Sequence, residues 1–216
     1  MITIITLINN QEDYEVLKRN LVSLETDWDL GLALLCIVSN KELYLEVRNF
    51  LLENVNRGEC RVVYGSSLKD GKDYLSDNNS LVFLLNVGVI IPQNTLTRLY
   101  KNYVDKPQAG FISGILKEYP IACWVKNIYS HPQFVYFNEK EKYDLLMDVD
   151  VSVCWGLLTR VSLYKELFCT EDLDGYGKYS FGIKLRRQGY KNYVDTGVEY
   201  KHRRNNENYH AEGSAC

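Results

Sequence analysis

Paired cysteines, long apolar runs and a surplus of positive charge are all missing from this chain of 216 residues. Its six cysteines, Cys36, Cys60, Cys123, Cys154, Cys169 and Cys216, form no C-x-x-C pair, so neither a zinc knuckle nor a dithiol redox motif is present. Cys36 and Cys154 lie inside apolar runs, where a thiol behaves as a small hydrophobe. No apolar stretch approaches the ~20 residues that a membrane span requires. Residues 1–8 carry no basic stretch and no cleavage site, so the expected location is cytoplasmic. Lys and Arg total 25 against 28 Asp and Glu, a net charge of −3. That balance disfavours a globally basic nucleic-acid binder, though not a local basic patch.

What is there is an ordinary globular balance. Hydrophobic residues at 46% and charged residues at 25% exclude a disordered chain, whose apolar content could not offset chain entropy. The first half alternates between two kinds of segment. Residues 2–8, 32–38, 61–64 and 81–85 are apolar, β-rich runs. Between them, Tyr14, Val16, Leu17, Leu21 and Leu24, with Asp13 placed to cap, and then Leu43, Val47, Phe50, Leu51 and Val55, recur at helical spacing. A weaker helix opens after Gly65-Ser66-Ser67.

Strands apolar on both faces and joined by amphipathic helices imply an α/β fold with a mainly parallel sheet between helices. Ligands then bind beyond the carboxyl ends of the strands. Four places qualify: Ile8-Asn9-Asn10, Ser39-Asn40, Gly65-Ser66-Ser67 and Asn86-Val87-Gly88. The second half predicts a helix over about 93–103 and aromatic-rich strands over 110–116, 121–128 and 134–137. An apolar strand over 150–158 and a helix over 161–167 follow. Beyond an acidic loop at 170–177 come a cationic helix over about 179–188 and short strands at 191–195 and 198–200. The expected organisation is one domain over 1–204, halved at 92/93 into nucleotide-binding and acceptor sides, with a polar tail over 205–216.

Three segments in this order resemble the GT-A fold (Rossmann-like) glycosyltransferases of the large family-2 type. Ile4-Ile5-Thr6-Leu7-Ile8-Asn9-Asn10 resembles the opening strand and base-receiving turn. Leu81 through Pro92 resembles the strand, DXD turn and following Pro that hold the donor diphosphate. Trp155-Gly156, then Arg186-Arg187-Gln188-Gly189-Tyr190 and finally His202 resemble the acceptor-side strand, the R-x-x-G-Y helix end and the late His. The resemblance implies transfer of a sugar from a nucleotide-sugar, a UDP-hexose, to a glycan, a protein or a modified nucleic-acid base. Thr6, Ile8, Asn9, Ser39 and Asn40 would hold the nucleoside, and Asn86 and Gly88 would lie beneath the diphosphate. Lys69 and Lys72 would reach toward the phosphates or the base, and His202 would bind metal or phosphate.

The departures carry as much information. Two carboxylates at i and i+2 hold a divalent cation on the donor phosphates in a DXD turn, but Asn86-Val87-Gly88 has none. A bound Mn²⁺ or Mg²⁺ is therefore doubted as a cofactor. The expected replacement is the basic segment holding Lys178, Lys184, Arg186, Arg187, Lys191, Lys201, Arg203 and Arg204, whose only local carboxylates are Asp195 and Glu199. Arg203 and Arg204 are the candidates for offsetting diphosphate charge, because the guanidinium fork suits phosphate. The base expected for the acceptor hydroxyl is Asp172, then Glu171 or Asp174, with Asp150 of the literal Asp148-Val149-Asp150 as an acceptor contact. A homo-oligomer is compatible with all of this. Two other classes stay open: a GT-A-like domain that binds a ligand or partner without catalysis, and a nucleotidyltransferase.

Overall fold

The computed structural model describes residues 1–78, 80–116, 122–129, 133–136, 145–152, 156–170 and 179–203. Its first four strands are Ile2–Ile8 (β1), Leu32–Val38 (β2), Glu59–Tyr64 (β3) and Leu81–Leu85 (β4). Helices Gln11–Leu24 (α1) and Lys41–Asn54 (α2) connect the first three, and a 3-10 segment, Leu68–Tyr74, leads into the fourth. A short strand Val89–Ile90 (β5) and helix Thr95–Val104 (α3) follow. The second half contributes Ala109–Ile115 (β6), Ala122–Lys126 (β7), Gln133–Tyr136 (β8), Leu146–Val149 (β9), Val151–Ser152 (β10) and Gly156–Arg160 (β11). Val161–Leu163 (α4) runs into a π-helical turn, Tyr164–Phe168, and Ser180–Arg187 (α5), Lys191–Glu199 (β12) and Lys201–His202 (β13) complete the order.

Eight strands form the central sheet in the order β3-β2-β1-β4-β11-β6-β12-β9. β1 pairs in parallel with both β2 and β4, β2 with β3, and β6 with β12. β11 is antiparallel to both of its neighbours, and β9 is antiparallel to β12. Alternation along β1 sends Ile4 and Ile8 to one face, against Leu17, Leu24 and Val47 of α1 and α2. Ile5 turns to the other face, beside Tyr164, Phe181 and Leu185. Both faces are covered, which is why these strands are apolar throughout.

Three polar devices brace the second half, and the first of them also ties it to the first half. Asp27 is fully buried and accepts from the Leu96 and Thr97 amides at 3.2 and 2.9 Å, capping α3 from another segment. The residue before α3, Asn94, gives that helix no side-chain cap of its own. Asp195 is also fully buried, and takes a two-pronged grip from Arg98 at 2.7 and 2.9 Å, with Asn102 at 2.6 Å. The Tyr200 hydroxyl accepts from the Gly114 amide at 2.9 Å and donates to the Gly156 carbonyl at 2.7 Å. A Cβ on Gly114 would lie 2.6 Å from the Tyr200 ring and one on Gly156 2.8 Å, so both strands need glycine there.

The structure corrects several expectations. Asn10, not Asp13, caps α1, its side chain accepting from the Asp13 amide at 3.0 Å. The single strand expected over 150–158 is instead two short strands in different sheets, β10 and β11, and a bend at Asp150 sets β10 off from β9. β9 joins the central sheet, β10 pairs with β7 in a separate sheet, and β11 returns to the centre beside β4. The Asp150 carboxylate explains the bend, because it bonds the Val125 amide at 2.6 Å and pairs with Arg186 at 2.6 Å. The two strands expected at 191–195 and 198–200 are one irregular strand, β12. The weak third helix is the 3-10 segment, held by a capping box between Ser67 and Asp70. No helix among the described residues is long and apolar enough to cross a membrane.

Candidate functional site

Parallel register places the ends of β1, β2 and β4 side by side: Ile8 lies opposite Val38, and Thr6 opposite Leu85. The residues that follow therefore share one edge. Asn9, Asn40 and Asn86 are exposed there, and Ser39 is half-buried. Ser39 donates from its hydroxyl to Asn9 Oδ1 at 2.9 Å and from its amide to the Ile8 carbonyl at 3.0 Å. Asn40 caps α2, its Oδ1 accepting from the Glu42 amide at 2.8 Å. These contacts tie the first two turns together.

The Asn86-Val87-Gly88 turn is closed by its own first residue. Asn86 Oδ1 accepts from the Gly88 amide at 2.7 Å, the side-chain turn that Asn favours. Beyond it, Asn20 of α1 pins the following strand by donating to the Val89 carbonyl and accepting from the Ile91 amide, both at 3.0 Å. β13 pairs with β5, setting His202 opposite Val89, and the Arg203 amide donates to the Gly88 carbonyl at 3.0 Å. The C-terminal strand thus lies directly on the turn.

This donor set does not suit a hard divalent ion. Asn86 offers one amide oxygen that is already hydrogen-bonded, and the turn has no carboxylate. Among the described residues, no group of three or more His, Cys, Asp or Glu could hold a metal. The helix N-termini at this edge are also occupied by the chain's own caps: Asn10 on the Asp13 amide, Asn40 on the Glu42 amide and Ser67 on the Lys69 amide. An anion would meet side chains here more readily than free backbone amides.

The individual candidates fare differently. Thr6 and Ile8 are fully buried on the face that packs against α1. The Thr6 hydroxyl oxygen has no hydrogen-bond partner, so it offers the edge nothing directly. Lys72 is exposed on the 3-10 segment. Lys69 reaches the Thr170 carbonyl at 3.0 Å, and Lys184 reaches the Thr170 hydroxyl at 3.0 Å and the Leu167 carbonyl at 3.1 Å. These lysines hold Thr170, the first residue of the acidic loop. Glu171, Asp172, Asp174 and Arg204 lie outside the described residues.

The basic segment is dispersed. Arg186 pairs with Asp150 and Asp148, and Arg187 donates to the Ile128 carbonyl at 2.9 Å. Arg203 grips Asp13 and, at 3.3 Å, Glu12. For Arg186 and Arg203, carboxylates absent from the local sequence are supplied by distant elements, so these two are not uncompensated. Asp150, with both carboxylate oxygens engaged, holds the β9–β10 bend.

Sequence reasoning missed Asp13. It is 4% exposed, and its carboxylate bonds the Asn9 amide at 2.9 Å as well as Arg203. The only sequence signal was its place in a helix-start pattern, which pointed to a capping role. Cysteine chemistry is equally remote from this edge. Burial raises the Cys36 thiol far above its ordinary value, pushes Cys60 up to about 11 and raises Cys169, so none is a ready thiolate at neutral pH.

This mostly parallel sheet, with β11 antiparallel beside β4 and helices on both faces, is similar in fold to solved glycosyltransferases of the GT-A type. Similar solved structures include the mannosyltransferase PcManGT from Pyrobaculum calidifontis in complex with GDP-Man and Mn²⁺. It has a TM-score of 0.63 and 13% identity, over 93% of this chain and 56% of that one. TarS 1–349 from S. aureus in complex with UDP-GlcNAc has a TM-score of 0.57 and 11% identity, over 99% and 59%. The 4-diphosphocytidyl-2C-methyl-D-erythritol synthase from Anaerococcus prevotii DSM 20548 has 0.58 and 14%, over 90% and 87%. The chain thus spans a little under three-fifths of the two glycosyltransferase structures. No protein-family model and no curated protein matches the sequence. At such identities the likeness is one of fold.

Proposed function

We propose that this chain is a glycosyltransferase that takes a nucleotide-sugar, a UDP-hexose, at the carboxyl edge of β1, β2 and β4, and does so without a metal held at the β4 turn. The observation that supports the reading is the Asn86–Gly88 turn: it follows β4 at the edge shared with β1 and β2, the position the sequence resemblance gives to the donor diphosphate, and it is closed by an amide side chain instead of paired carboxylates. Asn9, Ser39 and Asn40 would hold the nucleoside, and Asn86 and Gly88 would lie under the diphosphate. Lys72 and Arg204 would offset its charge as the sugar leaves. Glu171, Asp172 or Asp174 would take the acceptor hydroxyl's proton while the acceptor oxygen bonds the anomeric carbon. The electron pair of the broken sugar–phosphate bond would leave on the nucleoside diphosphate. The neighbours solved with GDP-Man and UDP-GlcNAc support a nucleotide-sugar as ligand class.

One observation favours a second reading. The cytidylyl-type synthase is matched over 87% of its length, nearer to this chain's size than the glycosyltransferases. A nucleotidyltransferase would bind a nucleoside triphosphate and need a counter-charge on it. Thermal-shift and calorimetric titrations with UDP-glucose, UDP-N-acetylglucosamine, GDP-mannose and CTP, each with Mn²⁺ or with EDTA, separate the two. Stabilisation by a UDP-sugar that persists in EDTA, together with donor hydrolysis, is the expected result. Stabilisation by CTP alone selects the second reading, and a strict Mn²⁺ requirement removes the metal-free mechanism. Binding of a UDP-sugar without turnover marks a non-catalytic domain.

A further inference from the structure

The hydrogen bonds at this edge form one connected path. Asn86 Oδ1 accepts from the Gly88 amide, and the Gly88 carbonyl accepts from the Arg203 amide. The Arg203 guanidinium then reaches the Asp13 carboxylate, whose other oxygen accepts from the Asn9 amide. Asn9 Oδ1 finally accepts from the Ser39 hydroxyl. Five links therefore join the turns after β4, β1 and β2, and the central one spans 190 residues of sequence. Glu12 adds a second carboxylate to Arg203 from the exposed side.

We propose that Asp13 and Arg203 are a positioning pair that sets the β1 turn and the β4 turn in register with each other, so that nucleoside and diphosphate contacts form together. The pair need not touch the ligand. Asp13 is almost entirely buried and the Arg203 side chain is 18% exposed, so the contact is shielded from the solvent screening that weakens surface pairs. A buried carboxylate without its cation must find another partner or move, and the Asn9 amide is the group it would carry with it. On the other side, Arg203 bonds the β4 turn through its backbone. Holding its guanidinium on Asp13 therefore also restrains the main chain that bonds the Gly88 carbonyl. β13 becomes part of the donor site, although it lies at the far end of the described chain.

This inference rests on the donor-site reading above, and the test separates the two. Calorimetry with UDP-N-acetylglucosamine and UDP-glucose is run on wild type, Arg203→Met, Asp13→Asn, the double variant and Arg203→Lys, well below each melting temperature. Arg203→Met and Asp13→Asn are each expected to weaken binding about tenfold, with the double variant no weaker than the worse single one, as coupled residues behave. Arg203→Lys, which keeps the charge and one donor, is expected to recover most of the loss. Amide exchange gives a readout without ligand: Asn9 and Gly88 should both exchange faster in Arg203→Met, a variant that keeps the Arg203 backbone amide. Variants that lose melting temperature but bind within about twofold of wild type overturn the pair as a positioning device, as does acceleration at Asn9 alone. Failure of the wild type to bind any nucleotide overturns the donor-site reading, and the positioning role falls with it.

Discussion

Asp195, fully buried, and Asp13, nearly so, each hold an arginine, and their surroundings differ in an instructive way. Asp195 lies mid-way along β12, where Arg98 and Asn102 of α3 and the Gly197 amide satisfy it within one packed layer. Asp13 lies at the carboxyl edge, and its two partners belong to the β1 turn and to the C-terminal strand. The first joins a helix to a strand inside the second half. The second joins the two ends of the described chain at the edge where the donor site is proposed. The same chemistry thus stabilises in one region and orients in the other.

Three substitutions test that contrast, in falling order of expected effect on stability. Asp195→Ala leaves Arg98 and Asn102 facing a buried gap, and denaturant unfolding should show a loss of about 3–5 kcal/mol. Nucleotide affinity of the remaining folded protein should be unchanged; a large drop in affinity would erase the distinction between the two aspartates. Asp27→Ala removes the cap on α3, and should cost about 1–2 kcal/mol by the same measurement, again with unaltered affinity. Asn86→Ala opens the exposed side-chain turn, and should change stability by less than about 1 kcal/mol while weakening UDP-sugar binding. If Asn86→Ala binds normally, the β4 turn does not receive the diphosphate, and the functional half of the comparison fails.

Much of the fold was legible because its determinants are local. The first four strands stand within two residues of their expected bounds, since short apolar runs between helical periodicities admit few alternatives. The residues closing the edge were equally accessible: Asn9, Ser39, Asn40 and Asn86 are short polar side chains directly after those runs. The bend at Asp150 between β9 and β10 was not accessible, because it depends on an arginine and an amide from other elements. Burial of Thr6 was also hidden, since alternation gives a face but not what covers it.

The basic C-terminal segment marks the boundary most clearly. Counting charges along the chain made Arg186 and Arg203 look uncompensated beside only two local carboxylates. In the fold, Arg186 meets Asp148 and Asp150, and Arg203 meets Glu12 and Asp13. Sequence alone determined where the first four strands run, which edge their polar ends share, and that the β4 turn lacks paired acids. Only the tertiary structure decided which charges face one another. Strand and helix formation follow from neighbours a few residues apart, whereas ion pairing depends on distance in space, which the chain's order does not encode.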